Sequence, residues 1–442
     1  MTGATTDTRA AATRSVLAGF RVIDLTQNVA GPYCTQILAD LGAEVVKIER
    51  PDGGEGSGGW GARPLGGRAD HSFPVNRRKR SVCIDLQTEA GCALVADLAA
   101  EADIFVHSMK PGSADRRGLG EAALTARNPR LIHCAISAYG IRGPLAPLPG
   151  YDPIVQAFTG LMDLNGNPGD APSRVPASVI DLGTGMWAAL GIVGLCLQRG
   201  RDGVGGSVQA SLLATGMAWM SPFVTEYTRT GVRPKRAGTR LSNAAPYELF
   251  EAADGQLFVA APNDRLFGHV CAVLGCAGLA RDPRFLHNAD RLRHRDELHL
   301  LLGQQIGRRP VGELLRALRA AGVPCGELNR LDQVLAHPQV QANELLTEVQ
   351  DPDGMALQVV DLPLRLTRGD DGAVGGHASG GRPSDDMPDR GAPANAAPLP
   401  APLPAPLAAT LPRLGQHTEE VLRGAGLADD RIGALRAQGV IR

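Results

Sequence analysis

The sequence predicts an α/β fold with an open, largely parallel sheet, together with a smaller α+β domain. The first observation is the apolar strand pattern FRVIDLT at residues 20–26, which AGPYCTQILADLGAEVVKIER follows with a helix and a second strand. Such a βαβ unit with a short crossover is typical of a parallel sheet. The second observation is that the alternation continues, with strands at residues 81–86, in DIFVHS and at residues 131–139, and a helix over residues 88–100.

The third observation is a hairpin followed by helices, which predicts the smaller domain. YELFEAADGQLFVAAP at residues 247–262 has an Asp-Gly turn between two apolar runs. Helical patterns follow at residues 264–274, 296–306 and 311–321.

The tract 367–412, which includes PLPAPLPAPL, favours extended polyproline II and a linker or insertion. The expected division is a disordered leader (1–18), a large α/β domain (19–230), a small α+β domain (235–331), a return to the large domain (332–366), the linker (367–412) and C-terminal helices of the large domain (413–442).

Composition excludes several classes of partner. The formal net charge of −1 gives no general attraction to nucleic acid or to an anionic membrane. The eight cysteines include no C-x-x-C pair, which favours reduced thiols in a cytoplasmic protein over disulfides or a structural metal site. No uninterrupted apolar run reaches about 18 residues, so we expect no membrane span.

A lone carboxylate stands in an apolar stretch, RVPASVIDLGTGMWAALGIVGL, as Asp181. One interpretation is a helix N-cap, because Asp accepts hydrogen bonds from the first turn and suits the positive end of the helix dipole. The other is a catalytic group, and the residues alone favour the cap. The predicted helix begins at Leu182, with apolar side chains close to a 3.6-residue period at Met186, Leu190, Val193 and Leu197.

Basic residues near the strand ends indicate an anion site. Arg50, Lys110 and Arg116 each lie at or just beyond a predicted strand, where open α/β sheets bind ligands, and together they suit a polyanion such as a nucleotide phosphate or coenzyme A. The run NRRKRS at residues 76–81 is either a solvated surface patch or a phosphate site. The string GEGSGG at residues 54–59 lacks the strand and helix context of a dinucleotide fingerprint, so we interpret it as a loop.

Motifs in chain order carry a resemblance to a known family. They are DLTQNVAGPYCTQILADLGAEVVKIERP, NRRKRSVCIDLQTEAG, KPGSADRRGLG, NPRLIHCAISAYGIRGP, the segment 150–195 and GQHTEEVL. Together they resemble the family III CoA-transferases of the CaiB/BaiF type, which include formyl-CoA and carnitine CoA-transferases. The match runs from about residue 20 to residue 366 and resumes at residue 415.

The resemblance implies a fold and a reaction. The fold is that of family III CoA-transferases, with a Rossmann-like large domain built from both chain ends. The enzyme would move CoA from an acyl-CoA donor to a carboxylic acid acceptor, through an aspartyl anhydride and an aspartyl-CoA thioester on Asp181. It would use CoA esters as substrates, with no permanently bound cofactor and no metal, and would work as an interlocked homodimer in the cytoplasm.

The resemblance also assigns contacts to CoA. These fall on Arg50, Ile84, Asp85, Leu86, Gln87, Arg116, Tyr151 and Asp152. Ser108 and Lys110, which lie at and just beyond the end of the strand in DIFVHS, complete the expected CoA site. Two alternatives stay open. One is an epimerase like α-methylacyl-CoA racemase, in which Glu251 would act as a base, although Tyr151 stands where that enzyme has His and is a poor base at neutral pH. The other is a non-catalytic acyl-CoA-binding paralogue.

Overall fold

The computed structural model describes residues 16–52, 75–351, 353–366 and 411–442. The chain forms two compact units, of which the first holds Met1–Thr159, Pro176–Trp219 and Glu344–Arg442. The second holds Gly160–Val175 and Met220–Asn343. The domain boundaries expected from the sequence differ from these limits and stay predictions. Most of the expected leader, the glycine-rich loop at residues 54–59 and most of the proline-rich tract lie outside the described residues.

The elements alternate in the order that the sequence predicts for the first unit. The strands are β1 Arg21–Leu25, β2 Glu44–Glu49, β3 Lys79–Cys83, β4 Ile104–His107, β5 Ile132–Ser137, β6 Gly206–Ser211, β7 Tyr247–Glu251, β8 Gln256–Ala260, β9 Cys325–Glu327, β10 Leu346–Gln350 and β11 Ala356–Val360. The α-helices are α1 Ala30–Asp40, α2 Glu89–Ala100, α3 Glu121–Arg127, α4 Asp152–Phe158, α5 Leu161–Leu164, α6 Val179–Asp202, α7 Leu212–Trp219, α8 Ser221–Thr230, α9 Asp264–Val273, α10 Asn288–Arg293, α11 Arg295–Ile306, α12 Val311–Ala320, α13 Leu331–Leu335, α14 Pro338–Ala342, α15 Thr418–Gly424 and α16 Asp429–Ala437. Short 3₁₀ turns occur at Asp115–Arg117 and Leu279–Arg281.

The first unit is built on a parallel sheet of six strands. Their order is β3-β2-β1-β4-β5-β6, and every neighbouring pair is parallel. This is the strand order of a doubly wound Rossmann fold, which places a topological switch point between β1 and β4. Strands buried on both faces explain the continuous apolar runs in the sequence. The predicted Rossmann-like α/β fold is therefore confirmed.

The central helix α6 differs from its predicted form. It begins at Val179, three residues before the expected start, and Met186, Leu190 and Leu197 are exposed rather than buried. Its buried face consists mainly of small residues, because α6 lies against α1. At Gly185, a Cβ atom would lie 2.6 Å from the carbonyl oxygen of Ala30, so only glycine permits this approach.

The same helix is long and apolar enough to cross a membrane, judged by length and composition alone. That is weak evidence for a span, because a core helix in a soluble protein passes the same test. In this fold, the small-residue face of α6 packs against α1.

The second unit has a sheet of its own. The predicted hairpin forms β7 and β8, which pair antiparallel, and β9 joins β8 in the same manner. Helices α9, α11 and α12 supply leucine, valine and phenylalanine side chains to a separate hydrophobic core. In the first unit, β10 and β11 form an antiparallel hairpin.

Candidate active site

A cavity of about 570 Å³ opens at the carboxyl ends of the parallel strands in the first unit. Its walls come from the segments that follow β1 to β5 and from the first turn of α6. Ligands of doubly wound folds bind at this edge, beside the switch point. The predicted site residues that line the cavity are Arg50, Ile84, Asp85, Leu86, Gln87, Ser108, Lys110, Tyr151 and Asp181.

Asp181 is the third residue of α6 and faces this cavity. Burial, and then the negative charge of Asp152, raise the pKa of Asp181 to about 7. Within the described part of the chain, its carboxylate has no hydrogen-bond partner. The group is therefore available to a ligand, and near neutral pH it exists in both protonation states.

Asp152 lies beneath Asp181 and holds the start of α6. It is 1% exposed, and its Oδ2 accepts hydrogen bonds from the backbone N–H groups of Ile180 (2.8 Å) and Asp181 (3.1 Å). Its Oδ1 accepts a hydrogen bond from the side-chain amide of Gln156. The cap that the sequence interpretation gave to Asp181 thus belongs to Asp152, which is distant in sequence and does not line the cavity.

The cations near the cavity differ in their pairing and in whether they line the cavity. Arg50 is exposed and forms a two-point pair with Asp52, at 3.1 and 2.8 Å. Lys110 is exposed at the cavity wall. Arg116 does not line the main cavity and lies in a neighbouring surface depression with Leu86 and Gln87.

Arg117 is a cavity residue that the sequence interpretation missed. Its guanidinium donates to the carbonyl oxygen of Leu86 (3.3 Å) and to the Oγ of Ser113 (2.6 Å). These bonds tie the loop after β4 to the wall that follows β3. The only sequence signal was its position beside Arg116, so periodicity gave no reason to choose one arginine over the other.

The basic run at residues 76–81 is neither of the two expected kinds of site. Arg77 and Arg78 are buried and pair with Asp40, while Arg80 pairs with Glu44 at 3.1 Å and also with Glu420. The run is therefore a buried set of structural ion pairs, and the expectation of a solvated patch or a phosphate site is wrong. The partners are far away in sequence, so the local pattern did not reveal them.

Lys79 is the most buried cation of this run. Its Nζ lies 3.2 Å from the Oδ2 of Asp24 and donates to the carbonyl oxygen of Pro32 at 2.9 Å. Burial by itself raises the pKa of Asp24, yet the charges of Lys47 and Lys79 bring it below its ordinary value. Lys79 thus joins β3 to β1 and to α1.

Two neighbouring strands of the parallel sheet, β4 and β5, each carry a buried histidine. The rings of His107 and His133 lie 5.1 Å apart, and burial lowers the pKa of His107 to about 4. All eight cysteines are free thiols. Among the residues that the structure describes, no group of three or more His, Cys, Asp or Glu side chains is placed to hold a metal ion.

Comparison with known proteins identifies the family. The family described as CoA-transferase family III matches residues 17–373. A succinate–glutarate CoA-transferase from Agrobacterium fabrum is 34% identical over 359 residues, covering 80% of this chain and 90% of that protein. An acetyl-CoA:oxalate CoA-transferase from Acetobacter aceti is 35% identical over 342 residues, covering 77% of this chain and 88% of that protein.

A solved structure agrees with these relatives. The crystal structure of a CAIB/BAIF family protein from Brucella suis superposes with a TM-score of 0.74 at 31% identity, covering 92% of this chain and 99% of that one. The chain belongs to CoA-transferase family III. It is a CoA-transferase that acts between acyl-CoA and carboxylic acids, and acyl-CoA is its substrate.

Proposed function

We propose that Asp181 is the nucleophile through which CoA passes from the donor acid to the acceptor acid. The observation that carries this proposal is the position of its carboxylate, which faces the cavity and has no hydrogen-bond partner among the described residues. A thioester is activated enough for attack by a carboxylate, and the resulting anhydride survives when the bound substrate excludes water.

The proposed reaction is a sequence of acyl transfers that conserves the thioester. A carboxylate oxygen of Asp181 attacks the thioester carbon of the donor, the C–S bond breaks, and CoA leaves as the thiolate. The thiolate attacks the aspartyl carbonyl of the anhydride, which gives aspartyl-CoA thioester and frees the donor acid. The acceptor carboxylate then attacks that thioester and releases the thiolate again, which finally attacks the acceptor carbonyl and regenerates Asp181.

The charged residues of the cavity wall favour one orientation of a bound CoA ester. Arg50, Lys110 and Arg117 lie on the segments after β2 and β4, which gives that part of the cavity positive charge for phosphate groups. Asp181 approaches the cavity from α6, where the acyl group would lie. We propose that residues 84–87 contact the nucleotide of CoA and that Tyr151 lies near its thiol end. Because both oxygens of Asp152 accept bonds within the protein, the CoA contact assigned to it becomes a positioning role in this proposal.

We propose small dicarboxylic acids as the exchanged acids, with succinyl-CoA as a donor. Support comes from the relative named for succinate and glutarate. Another relative is named for oxalate, so the acceptor acid has to be identified by experiment. Neither the epimerase nor the non-catalytic alternative is favoured by the relatives, which are named CoA-transferases.

We also propose a homodimer in the cytoplasm. The free thiols are compatible with a reducing compartment. On α6, Met186, Trp187 and Leu190 are exposed together, which is typical of a surface that associates with protein. Light scattering of the purified protein tests this, and a monomer at micromolar concentration would contradict it.

The decisive experiment is intact-protein mass spectrometry after incubation with a panel of acyl-CoAs, with hydroxylamine trapping and peptide mapping. We expect a hydroxamate at Asp181 from at least one donor and none in Asp181→Ala, which should lose transfer activity while keeping its circular dichroism spectrum. Transfer at wild-type rate by that variant would refute the assignment. Deuterium exchange at the α-carbon of a branched acyl-CoA without any adduct would indicate the epimerase, and binding without either signal would indicate the paralogue.

A further inference from the structure

The C-terminal segment covers the free edge of the sheet in the first unit. β3 is an edge strand, and such edges leave backbone groups unpaired unless something covers them. His417 exchanges two hydrogen bonds with the backbone of Ser81, at 3.1 and 2.9 Å, and the Oγ1 of Thr418 accepts from the N–H of Cys83 at 3.1 Å. The C-terminal segment thus lies against the outer side of β3 at Ser81 and Cys83.

The last residues reach the wall of the candidate active site. Beyond the end of β3, Ile84 forms an antiparallel bridge with Ile441, and the N–H of Asp85 donates to the carbonyl oxygen of Val440 at 2.8 Å. The guanidinium of Arg442 donates to the carbonyl oxygen of Pro51 at 3.2 Å. We call residues 440–442 the C-terminal strap.

The backbone that follows β3 and lines the cavity is held from both sides. On its inner side, the N–H of Ile84 donates to the carbonyl oxygen of Glu49 at 2.9 Å. On its outer side, the strap supplies the only β-bridge outside the named strands of the described chain. Ile84, Val440 and Ile441 are buried in one hydrophobic cluster that also contains side chains of α2, α15 and α16. The strap therefore fixes the backbone at two places that flank the cavity, after β2 and after β3.

We propose that the C-terminal strap is a positioning element for the nucleotide end of CoA. By its bond to Pro51, the strap fixes the backbone next to Arg50. By its bond to Asp85, it fixes the cavity-lining residues 84–87. This inference rests on the proposed function, because it takes the CoA nucleotide to lie against that wall. The strap itself does not line the cavity, so it acts through the residues that it holds.

The test compares two strap variants with a matched control in the full-length protein. Arg442→Ala removes one hydrogen bond, and deletion of residues 441–442 removes the bridge as well. Arg436→Ala is the control, because its ion pair with Glu419 lies in the same C-terminal segment and away from the cavity. Calorimetric titration with free CoA gives Kd, and steady-state kinetics with glutarate as the acceptor use succinyl-CoA and succinyl-pantetheine, which lacks the nucleotide.

We expect Kd for CoA and KM for succinyl-CoA to rise about 2- to 4-fold in Arg442→Ala and about 5- to 10-fold in the deletion, a loss in the range of one or two hydrogen bonds. KM for succinyl-pantetheine and kcat should stay within about twofold of wild type, and the control should match wild type. Unchanged Kd in both strap variants overturns the inference, as does an equal rise of KM for both substrates, which would mean a general loss of structure. A wild-type protein that binds no CoA overturns the proposed function itself.

Discussion

Asp181 is subject to two opposing influences. The N-terminal end of α6 favours its ionised form, whereas burial and the charge of Asp152 favour the neutral form and bring its pKa to about 7. Only the ionised carboxylate attacks a thioester, so we expect the rate of adduct formation to rise about tenfold from pH 6 to a plateau above pH 8. Rapid-quench measurement of the first turnover gives this profile. A flat rate over that range would show that the carboxylate is already ionised at pH 6.

The same pKa has a consequence for stability. A carboxyl group whose pKa is raised on folding binds more protons in the folded state, so the contribution of Asp181 to stability falls as pH rises from about 4 to about 7. Asp181→Asn removes this penalty. We expect the free energy of unfolding to increase relative to wild type, by about 1–2 kcal/mol more at pH 8.5 than at pH 5.5. Urea unfolding at both pH values measures it, and an equal difference at the two would contradict the raised pKa.

Asp152 offers a way to move the pH profile without touching the nucleophile. Asp152→Asn keeps an oxygen for the N–H groups of Ile180 and Asp181 and removes the negative charge. We therefore expect the pKa of Asp181 to fall and the rising limb of the rate profile to shift to lower pH. Asp152→Ala is the comparison, because it leaves the first turn of α6 without its acceptor and should destabilise the protein by about 1 kcal/mol. If the rate profile of Asp152→Asn did not move, burial would be the sole cause of the raised pKa of Asp181.

Arg50 contributes binding rather than chemistry in the proposed site. It lies at the cavity wall after β2, and its partner Asp52 is exposed. We expect Arg50→Ala to raise KM for CoA esters about 3- to 10-fold with kcat within about twofold. Arg127→Ala is the matched control, since that exposed arginine pairs with Asp97 outside the cavity. An unchanged KM in Arg50→Ala would remove Arg50 from the site.

At the scale of the element, a glycine of α6 lets the helix that carries the proposed nucleophile pack closely against α1. A Cβ at position 185 would lie 2.6 Å from the oxygen of Ala30 and 3.0 Å from the nitrogen of Cys34, both backbone atoms that yield only if α1 moves. We expect Gly185→Ala to destabilise the protein by about 1–3 kcal/mol and to reduce activity, because Asp181 is one turn away. Chemical unfolding and the adduct assay measure the two effects.

Gly194→Ala in the same helix supplies the control. A Cβ there meets nothing within 4 Å, so the better helix propensity of alanine should raise stability by up to about 1 kcal/mol. Equal destabilisation by both substitutions would mean that the close approach of α1 and α6 is not what position 185 requires.

The limits of sequence reasoning are clearest in this helix. Its existence followed from the glycine-spaced apolar pattern, whereas the catalytic role of Asp181 came from the family motif and stays a prediction. Its start did not, because the acceptor for its first turn is Asp152, which lies on α4. The exposure of Met186 and Leu190 was also unpredictable, since the helix buries small residues against α1 and the apolar period alone does not say which face is inside.

At the scale of the whole molecule, the parallel sheet was predictable because each βαβ unit has a local signature. The edge strand β6 was not predicted, because GSVQAS is short and only partly buried. The ion pairs of the basic run at residues 76–81 could not be predicted either. Its four cations pair with acids from β1, α1, β2 and α15, a relation that exists only in the folded chain.

The cations of the first unit include buried ones that hold the fold and exposed ones that line the cavity, and one substitution from each of these two groups tests the difference. Lys79→Met removes a partner of buried Asp24 and bonds to the oxygens of Pro32 and Thr35, so we expect a loss of about 3 kcal/mol in the free energy of unfolding. Lys110→Met removes an exposed charge from the cavity wall, and should leave stability within about 0.5 kcal/mol of wild type while raising KM for CoA esters. Urea unfolding and kinetics on the same two proteins measure both quantities. If Lys79→Met unfolded at the wild-type urea concentration and instead weakened CoA binding, the basic run would be a ligand site after all.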